Sequence, residues 1–523
     1  MRPKALIMIT LFFSVIVLLS MFQLFQYLLE TPKGFHFFFV HNSPSDYYYY
    51  LTFIRQGMEG KFLAVSRYTS EHIQGQPLFL FFTCIGFFGG VVGLEPAMIY
   101  TLFRFGCSVL FLLSIYFFIF RLFPQKHRVP ALFLLFCITP FWYYRGNTFE
   151  QVGDFWSGID PLMRIAFLPH HMSANGFFIV SLLFLDRAIL RRSVRWGIAS
   201  GIAALCCGVS NPATALLLCA TVGVGLLFHL RLMNDKKSIT VFCSFFLLSF
   251  FPMLLLFRSV SSAFPWNQIA AWEQTQQYPL GIIQFFLMLG PLSFVAVGGI
   301  VVAVRKSFLW KMTVGWFMAP FLLLAFQHIL PLSNIRYVQA APYVPTALIA
   351  TLGGMYVVQR IPFANKHIIG MLMLGIVGMY AIPSYVISFQ HQVLWVSQNR
   401  TTPLIYISFD SVDILKNLAN VGASDDVVLA PDPLPLFIPA LTNKRVVYAH
   451  PLYTLQFFEK QKEGYQFFGD MDGEHKAFLH RERVRFIIME LASIPSADVL
   501  DAVGCREVYR NAAYLLCERG DTY

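Results

Sequence analysis

Long apolar runs, separated by short polar stretches, fill the first three quarters of the chain. A bilayer crossing needs about 20 consecutive, mostly apolar residues. On that measure the pattern predicts spans over residues 5–29, 96–121, 129–146, 173–190, 196–209, 211–230, 239–257, 281–304, 308–330, 341–359 and 367–388. The pair 196–209 and 211–230 meets at Ser210-Asn211-Pro212 and reads as a helical hairpin. Pro77–Leu94 is also apolar, but it carries several glycines and no basic flank. It is predicted as an interfacial or re-entrant helix within a long first loop, residues 30–95. After residue 388 the pattern changes. Asp413–Ala419 has a short helical pattern, and Val427–Ala430, Arg445–Tyr448 and Val484–Met489 read as strands. Glu507–Arg510 and Ala513–Glu518 read as a hairpin turning at Asn511. The fold class is therefore a polytopic α-helical membrane protein of about eleven transmembrane helices, with a small C-terminal α/β domain. Its expected domains are 1–388 and 389–523.

Charge supports the same division. Residues 1–388 hold 26 Lys/Arg against 11 Asp/Glu, and residues 389–523 hold 13 against 17. Only 13% of the 523 residues are charged, about half the share of a soluble domain, which excludes an ordinary cytosolic enzyme. Bases cluster at Arg2 and Lys4, Arg121–Arg128, Arg187–Arg195, Arg231–Lys237, Arg305–Lys311 and Arg360–Lys366. The positive-inside rule puts these loops in the cytoplasm. It leaves the long first loop and the C-terminal domain outside, so the N-terminus is cytoplasmic and the basic excess needs no nucleic acid. Counting Pro77–Leu94 as a span would turn most of those bases outward. The first span resembles a signal peptide, but its apolar run is long and no small-residue cleavage site follows, so it reads as an uncleaved anchor.

The residues that suit chemistry lie in the outer loops. The first loop reads His41-Asn-Ser-Pro-Ser-Asp46-Tyr-Tyr-Tyr-Tyr50 and runs on to Thr69-Ser-Glu71-His72. A carboxylate just outside a span is placed to take a hydroxyl proton from a substrate that meets water there. The competing reading makes Ser45 or Asp46 a helix N-cap and the tyrosines an interfacial aromatic belt. The second outer loop holds Glu150, Asp154, Asp160, Arg164, His170 and His171. Asp46, Glu71, Asp154 and Asp160 are acceptor or metal candidates, since a hard divalent ion takes several oxygen ligands. Arg164 and His170 are candidate phosphate contacts. Arg336, just outside the ninth predicted span, is favoured over Arg104 as the phosphate fork. In the C-terminal domain His450-Pro451, Thr454 and Lys460 would either touch an acceptor sugar or simply begin a helix. Cys505 and Cys517 flank the terminal hairpin, either bridged or as ordinary small apolar residues. There is no phosphate-cradling Walker loop, and no Cys-x-x-Cys or His-Glu-x-x-His spacing for zinc.

The long first outer loop, Asp46 shortly after the first span and the Tyr-rich run after it resemble the GT-C superfamily of polyprenyl-phosphate-dependent glycosyltransferases. The run from Asp46 to Gly60 with Tyr68–Glu71, and the C-terminal Pro439–Thr454 stretch with a Lys and a Phe-Phe pair after it, are similar to a bacterial group within it. The resemblance implies Asp46 as catalytic base, Glu71 as the acid of a Thr-Ser-Glu element, a turn at Ser210-Asn211-Pro212 and an Arg-Tyr element at Arg336-Tyr337. The Trp-Trp-Asp-Tyr-Gly element of oligosaccharyltransferases is missing, which argues against en bloc oligosaccharide transfer. The implied enzyme is an inverting transferase in a bacterial inner membrane. It would move one sugar, a hexose or pentose, from a polyprenyl-phosphate donor to an acceptor glycan, lipid or protein on the outer face. A divalent metal ion is the one cofactor the acids would suit. The alternative is a lipid or polysaccharide transporter with an accessory outer domain. It is disfavoured because ionisable residues crowd the loops rather than the mid-membrane.

Overall fold

The computed structural model describes residues 3–41, 43–146, 148–153, 161–230, 234–330, 332–362, 365–399, 402–470, 475–494, 500 and 503–520. The chain is mostly helical and forms two units, neither of them continuous in sequence. One comprises Met1–Phe22, Phe103–Phe257 and Trp272–Val393; the other comprises Gln23–Leu102, Arg258–Ala271 and Leu394–Tyr523.

The first unit is built from paired helices: Pro169–Arg191 against Val194–Ser210, Pro212–Leu227 against Phe308–Ala325, and Leu292–Ala303 against Tyr343–Arg360. Glycines let the last two pairs approach at backbone distance. A Cβ at Gly315 would fall on the Thr221 carbonyl, and one at Gly299 on that of Ile349. Such small-residue seams are how apolar helices pack where burial itself supplies little drive.

Among the described residues, five helices are long and apolar enough to cross a membrane: Pro96–Leu122, Pro169–Arg191, Lys236–Val260, Phe308–Ala325 and Lys366–Gln398. The count rises to seven if the bent pairs Ile7–Ser20 with Phe22–Leu29 and Ile282–Met288 with Leu292–Ala303 are each one span. The chain is accordingly an integral membrane protein, and among the described residues its helices give five to seven full-length spans where eleven were expected. Local chemistry explains the difference. The run expected to span 129–146 is helical only over Gln125–Phe136, then turns into an antiparallel hairpin of Trp142–Arg145 with Thr148–Gln151. The run over 281–304 breaks by 101° between its two helices. Gly290 sits in that break at φ +71°, where a Cβ would strike the Thr139 carbonyl. The halves at Asn211 are 17 and 16 residues long. Asn211 caps the second, its side-chain oxygen accepting from the amides of Ala213 (3.1 Å) and Thr214 (3.3 Å).

In the second unit, the helix Pro44–Met58 packs on the apolar helix Leu80–Val91. Cβ atoms at Gly57 and Gly86 would overlap the carbonyls of Thr83 and Ile54, so the two backbones touch. The C-terminal stretch folds as a five-stranded mixed sheet in the order Arg445–Val446, Val427–Leu429, Val484–Glu490, Tyr514–Arg519 and Cys505–Arg510. The first two junctions are parallel and the last two antiparallel. Asn511 makes the hairpin turn by accepting the amides of Ala513 (3.1 Å) and Tyr514 (2.9 Å) on its side-chain oxygen, an Asx turn.

First-loop residues belong to this unit as well. Phe35–Phe37 pairs antiparallel with Tyr406–Ser408, Thr69 bridges Tyr448, and the Val446 amide donates to the Arg67 carbonyl at 3.0 Å. This unit takes up the chain again at Leu394, and it also contains residues 23–102.

Candidate functional site

In the second unit Asp46 is the third residue of the helix Pro44–Met58. Ser43 takes the N-cap position in extended conformation (φ −68°, ψ 111°), and Pro44 supplies the first helical residue. Pro fits there because its missing N–H has no helical partner to lose. The reading of Ser45 or Asp46 as the cap is therefore corrected. Asp46 sits in the first turn, where the helix end interacts favourably with negative charge, and its side chain is half-buried.

The tyrosines after it are not an interfacial belt. Tyr47, Tyr48 and Tyr49 are at most 1% exposed. Tyr47 donates to the Phe38 carbonyl at 2.6 Å, and Tyr49 stacks on Tyr453 with ring centres 3.5 Å apart. Burial pushes the Tyr68 phenol well above its usual value, and the negative charge of Asp46 pushes the same way. The carboxylate thus lies within electrostatic reach of an aromatic core.

Glu71, an acceptor or metal candidate, lies in the same unit but is engaged. Thr69 donates its hydroxyl to Glu71, and the Lys460 ammonium lies 2.6 Å from the Glu71 carboxylate. Lys460, with a side chain 2% exposed, also contacts Glu482 at 2.9 Å and Ser70 at 2.8 Å. Burial alone would raise the Glu482 carboxyl, but hydrogen bonds from Ser70, Lys460 and Arg481 hold it below its usual value. A metal at Glu71 would have to displace this ammonium. Nearby, Thr454 donates to the Tyr68 carbonyl, and His450 accepts the Leu452 amide at 3.1 Å. Burial lowers the His450 imidazole to about 4. Thr454 and Lys460 serve internal contacts, and His450 caps its own turn.

In the first unit Arg336 lies on a short 3-10 turn, Asn334–Val338. Buried Asn334 pins that turn, accepting the Tyr278 amide at 3.0 Å and donating to the Tyr278 carbonyl at 2.8 Å. The Arg336 guanidinium forks onto Glu273: Nε donates to one carboxylate oxygen at 3.0 Å and Nη2 donates to the other. Its Nη1 donates to the Gln339 side chain at 3.4 Å. The charge of Arg336 acts on both His170 and His171. These histidines open the helix Pro169–Arg191 with rings 4.5 Å apart. Arg164, on the short helix Pro161–Ile165, acts on His171 and lies over the Phe167 ring at 4.5 Å.

A small cavity of about 20 Å³ opens here, lined by Arg164, His171, Asn175, Gln339, Pro342 and Tyr343 among others. Asn175 is 4% exposed, and its side-chain oxygen has no hydrogen-bond partner among the described residues.

The three residues predicted to hold phosphate, Arg336, Arg164 and His170, thus come into one neighbourhood. Asp46 and Glu71 belong to the other unit, and Asp154 and Asp160 lie outside the described residues. Arg104 is buried and donates to the Ala166 carbonyl. Among the described residues no group of three or more His, Cys, Asp or Glu is arranged to hold a metal ion. Sequence reasoning missed Glu273, Asn175 and Gln339. Only Asn175 carried a signal, lying four residues after His171 and so on the same helix face.

No family model matches the chain, and no curated protein sequence does. Solved structures do match. The oligosaccharyltransferase of Archaeoglobus fulgidus in the apo form has a TM-score of 0.48 and 13% identity, with 91% of this chain and 69% of that chain covered. ArnT from Cupriavidus metallidurans bound to undecaprenyl phosphate has a TM-score of 0.51 and 12% identity, with 99% of this chain and 98% of that chain covered. The likeness to ArnT is one of fold, and it runs from end to end: the chain has the GT-C fold.

Proposed function

We propose that this chain is an inverting, integral-membrane glycosyltransferase. It takes a single sugar from polyprenyl phosphate and transfers it to an acceptor glycan, lipid or protein on the outer face of a bacterial inner membrane. The acceptor oxygen forms a bond to the anomeric carbon, the bond from that carbon to the phosphate oxygen breaks, and the hydroxyl proton passes to Asp46. Arg336, with Arg164 and His170, meets the charge that grows on the departing lipid phosphate, an electrostatic contribution that is often the largest in catalysis. The sugar arrives already activated, so no nucleotide pocket is required. The N-terminus is cytoplasmic and residues 389–523 are outside.

The observation that carries this reading is a cavity lined by Arg164 and His171, in a chain of GT-C fold, with the charge of Arg336 acting on His171 and on its neighbour His170. A guanidinium fork suits phosphate because two N–H groups match two oxygens. Arg336 already spends one edge on Glu273, which fixes the fork before substrate arrives. Its Nη1 lies next to the cavity-lining Gln339. ArnT, described as bound to undecaprenyl phosphate, is a precedent for the donor class.

Binding of a polyprenyl phosphate to the purified full chain tests the assignment. Arg336→Gln is expected to weaken it by about tenfold or more, since a hydrogen bond to a charged group contributes about 1.5–3 kcal/mol. Arg336→Lys should fall between. The double variant Arg336→Gln/Glu273→Gln removes the carboxylate left unpaired and should remain as weak. Wild-type binding in Arg336→Gln would remove Arg336 from the site.

A further inference from the structure

At the turn joining Pro169–Arg191 to Val194–Ser210, in the first unit, an open groove of about 550 Å³ is lined by Arg191, Ser193, Arg195, Trp196 and Ala199. Arg187, Arg191, Arg192 and Arg195 are all exposed there. The Arg187 guanidinium lies 4.0 Å from the Trp196 ring centre, and Phe184 packs against the same ring at 5.3 Å. Trp196 thereby holds one of the four cations against the groove wall.

The acids nearby do not neutralise this group. Asp186 is 3% exposed and accepts from Arg121 Nε at 3.0 Å. Asp235 accepts the amide and hydroxyl of Ser238 at 3.3 and 2.8 Å, and of the four arginines the charge of Arg192 acts on it. Among the described residues Arg187, Arg191 and Arg195 have no carboxylate partner. Ser193 precedes the second helix in extended conformation and makes no side-chain cap bond, so the first amides of a 17-residue helix also point out beside the arginines.

The apolar surface next to these cations says what kind of anion fits. Ile198 and Ile202 are 41% and 51% exposed, and they follow Arg195 at three and seven residues, on one face of the helix. Leu190, 57% exposed, stands on the neighbouring helix. A soluble anion has no use for such a stripe, whereas a lipid has both a charged head and an acyl chain to lay along it. We propose that this groove binds the phosphodiester headgroup of an anionic glycerophospholipid, with Arg191 and Arg195 on the phosphate, Trp196 and Arg187 as its wall, and the acyl chain along Ile198 and Ile202. The site does not depend on the transferase reading.

The test titrates the full chain in detergent with phosphatidylglycerol or phosphatidylcholine and counts bound lipid by native mass spectrometry. Wild type should prefer phosphatidylglycerol. Arg191→Gln/Arg195→Gln should lose about thirtyfold in phosphatidylglycerol affinity and keep its phosphatidylcholine adducts, which also report an intact fold. Arg305→Gln/Lys306→Gln, an equal charge loss at another exposed basic turn, should bind as wild type. Equal binding of the two lipids by wild type would overturn the proposal, as would an undiminished Arg191/Arg195 variant. Equal weakening in the Arg305/Lys306 control would reduce it to general electrostatics, and competition by inorganic phosphate at matching concentration would make it a soluble-anion site; either contradicts it.

Discussion

Replacing Lys460 with Met should destabilise the second unit through the acid it leaves behind. The Lys460 ammonium is shared by Glu71 at 2.6 Å, Glu482 at 2.9 Å and Ser70 at 2.8 Å. Met keeps most of the apolar stem, so lost packing is a small part of the effect. Glu482 has a side chain only 6% exposed and loses a partner it cannot replace with water. Breaking one side of a buried ion pair costs about 3–5 kcal/mol. The low end applies, because Glu482 keeps its bonds from Ser70 and Arg481. Glu71, with a third of its side chain exposed, adds little. About 3 kcal/mol in a unit of about 220 residues lowers its melting temperature by about 6–12 °C. The assay is a thermal melt of the full chain in detergent at pH 7, alongside Glu482→Gln and the double variant. The double variant should recover part of the loss, since a neutral amide tolerates burial better than an unpaired carboxylate. The carboxyl of Glu482 is held below its usual value. Its contribution is therefore full above the unfolded pKa and is lost as pH falls through the folded one. Wild type and Lys460→Met should accordingly converge in acid. A Lys460→Met melt within about 1 °C of wild type at pH 7, or no recovery in the double variant, would refute the reasoning.

Cysteines introduced near residues 150 and 470 should react with an impermeant reagent in intact cells and one near 235 should not; labelling at 235 would reverse the proposed orientation. Cys505 pairs across the hairpin with Arg519, and Cys517 with Glu507, so the two thiols are diagonal neighbours, about 7–8 Å apart at their Cα atoms where a disulfide needs about 4.4–6.8 Å. A hydrogen bond with Cys505, and then burial, push the Cys517 thiol well up, which disfavours the thiolate that oxidation requires. Mass spectrometry of non-reduced, alkylated protein should find both thiols alkylated, and a linked peptide would show that the register shifts.

Where local pattern decides structure, the sequence was readable. The strands at Val427, Arg445 and Val484 and the turn at Asn511 form where alternation and turn chemistry put them. Arg336 was singled out for its charge just outside an apolar run, and Arg164 and His170 as ionisable residues of the second outer loop; the charge of Arg336 acts on His170, and that of Arg164 on its neighbour His171. Long-range pairing was hidden. Nothing in residues 35–72 announces that Phe35–Phe37 will pair with Tyr406–Ser408, or that Glu71 will meet Lys460. The difference in span count among the described residues has a related origin. Hydropathy records that a run is apolar but not that it stops, and the hairpin after Phe136 and the Gly290 break are backbone events inside apolar sequence. The buried tyrosines after Asp46 look like a membrane belt until their tertiary partners, Tyr453 and Phe38, are seen. Glu273, on the short helix Trp266–Thr275, had no pattern to link it to Arg336 some sixty residues on.

The central claim is that Asp46 takes the acceptor's proton, and turnover of Asp46→Asn on a purified polyprenyl-phosphate sugar tests it most directly. Asn matches Asp in shape but is a poor proton acceptor, and Ser43 rather than Asp46 holds the helix cap. Transfer is expected to fall about 10²–10⁴-fold, the usual contribution of a general base. Polyprenyl-phosphate binding and the melting temperature should stay close to wild type. Near-normal transfer by Asp46→Asn would contradict the account and leave Asp46 as no more than a charge in the first turn of its helix.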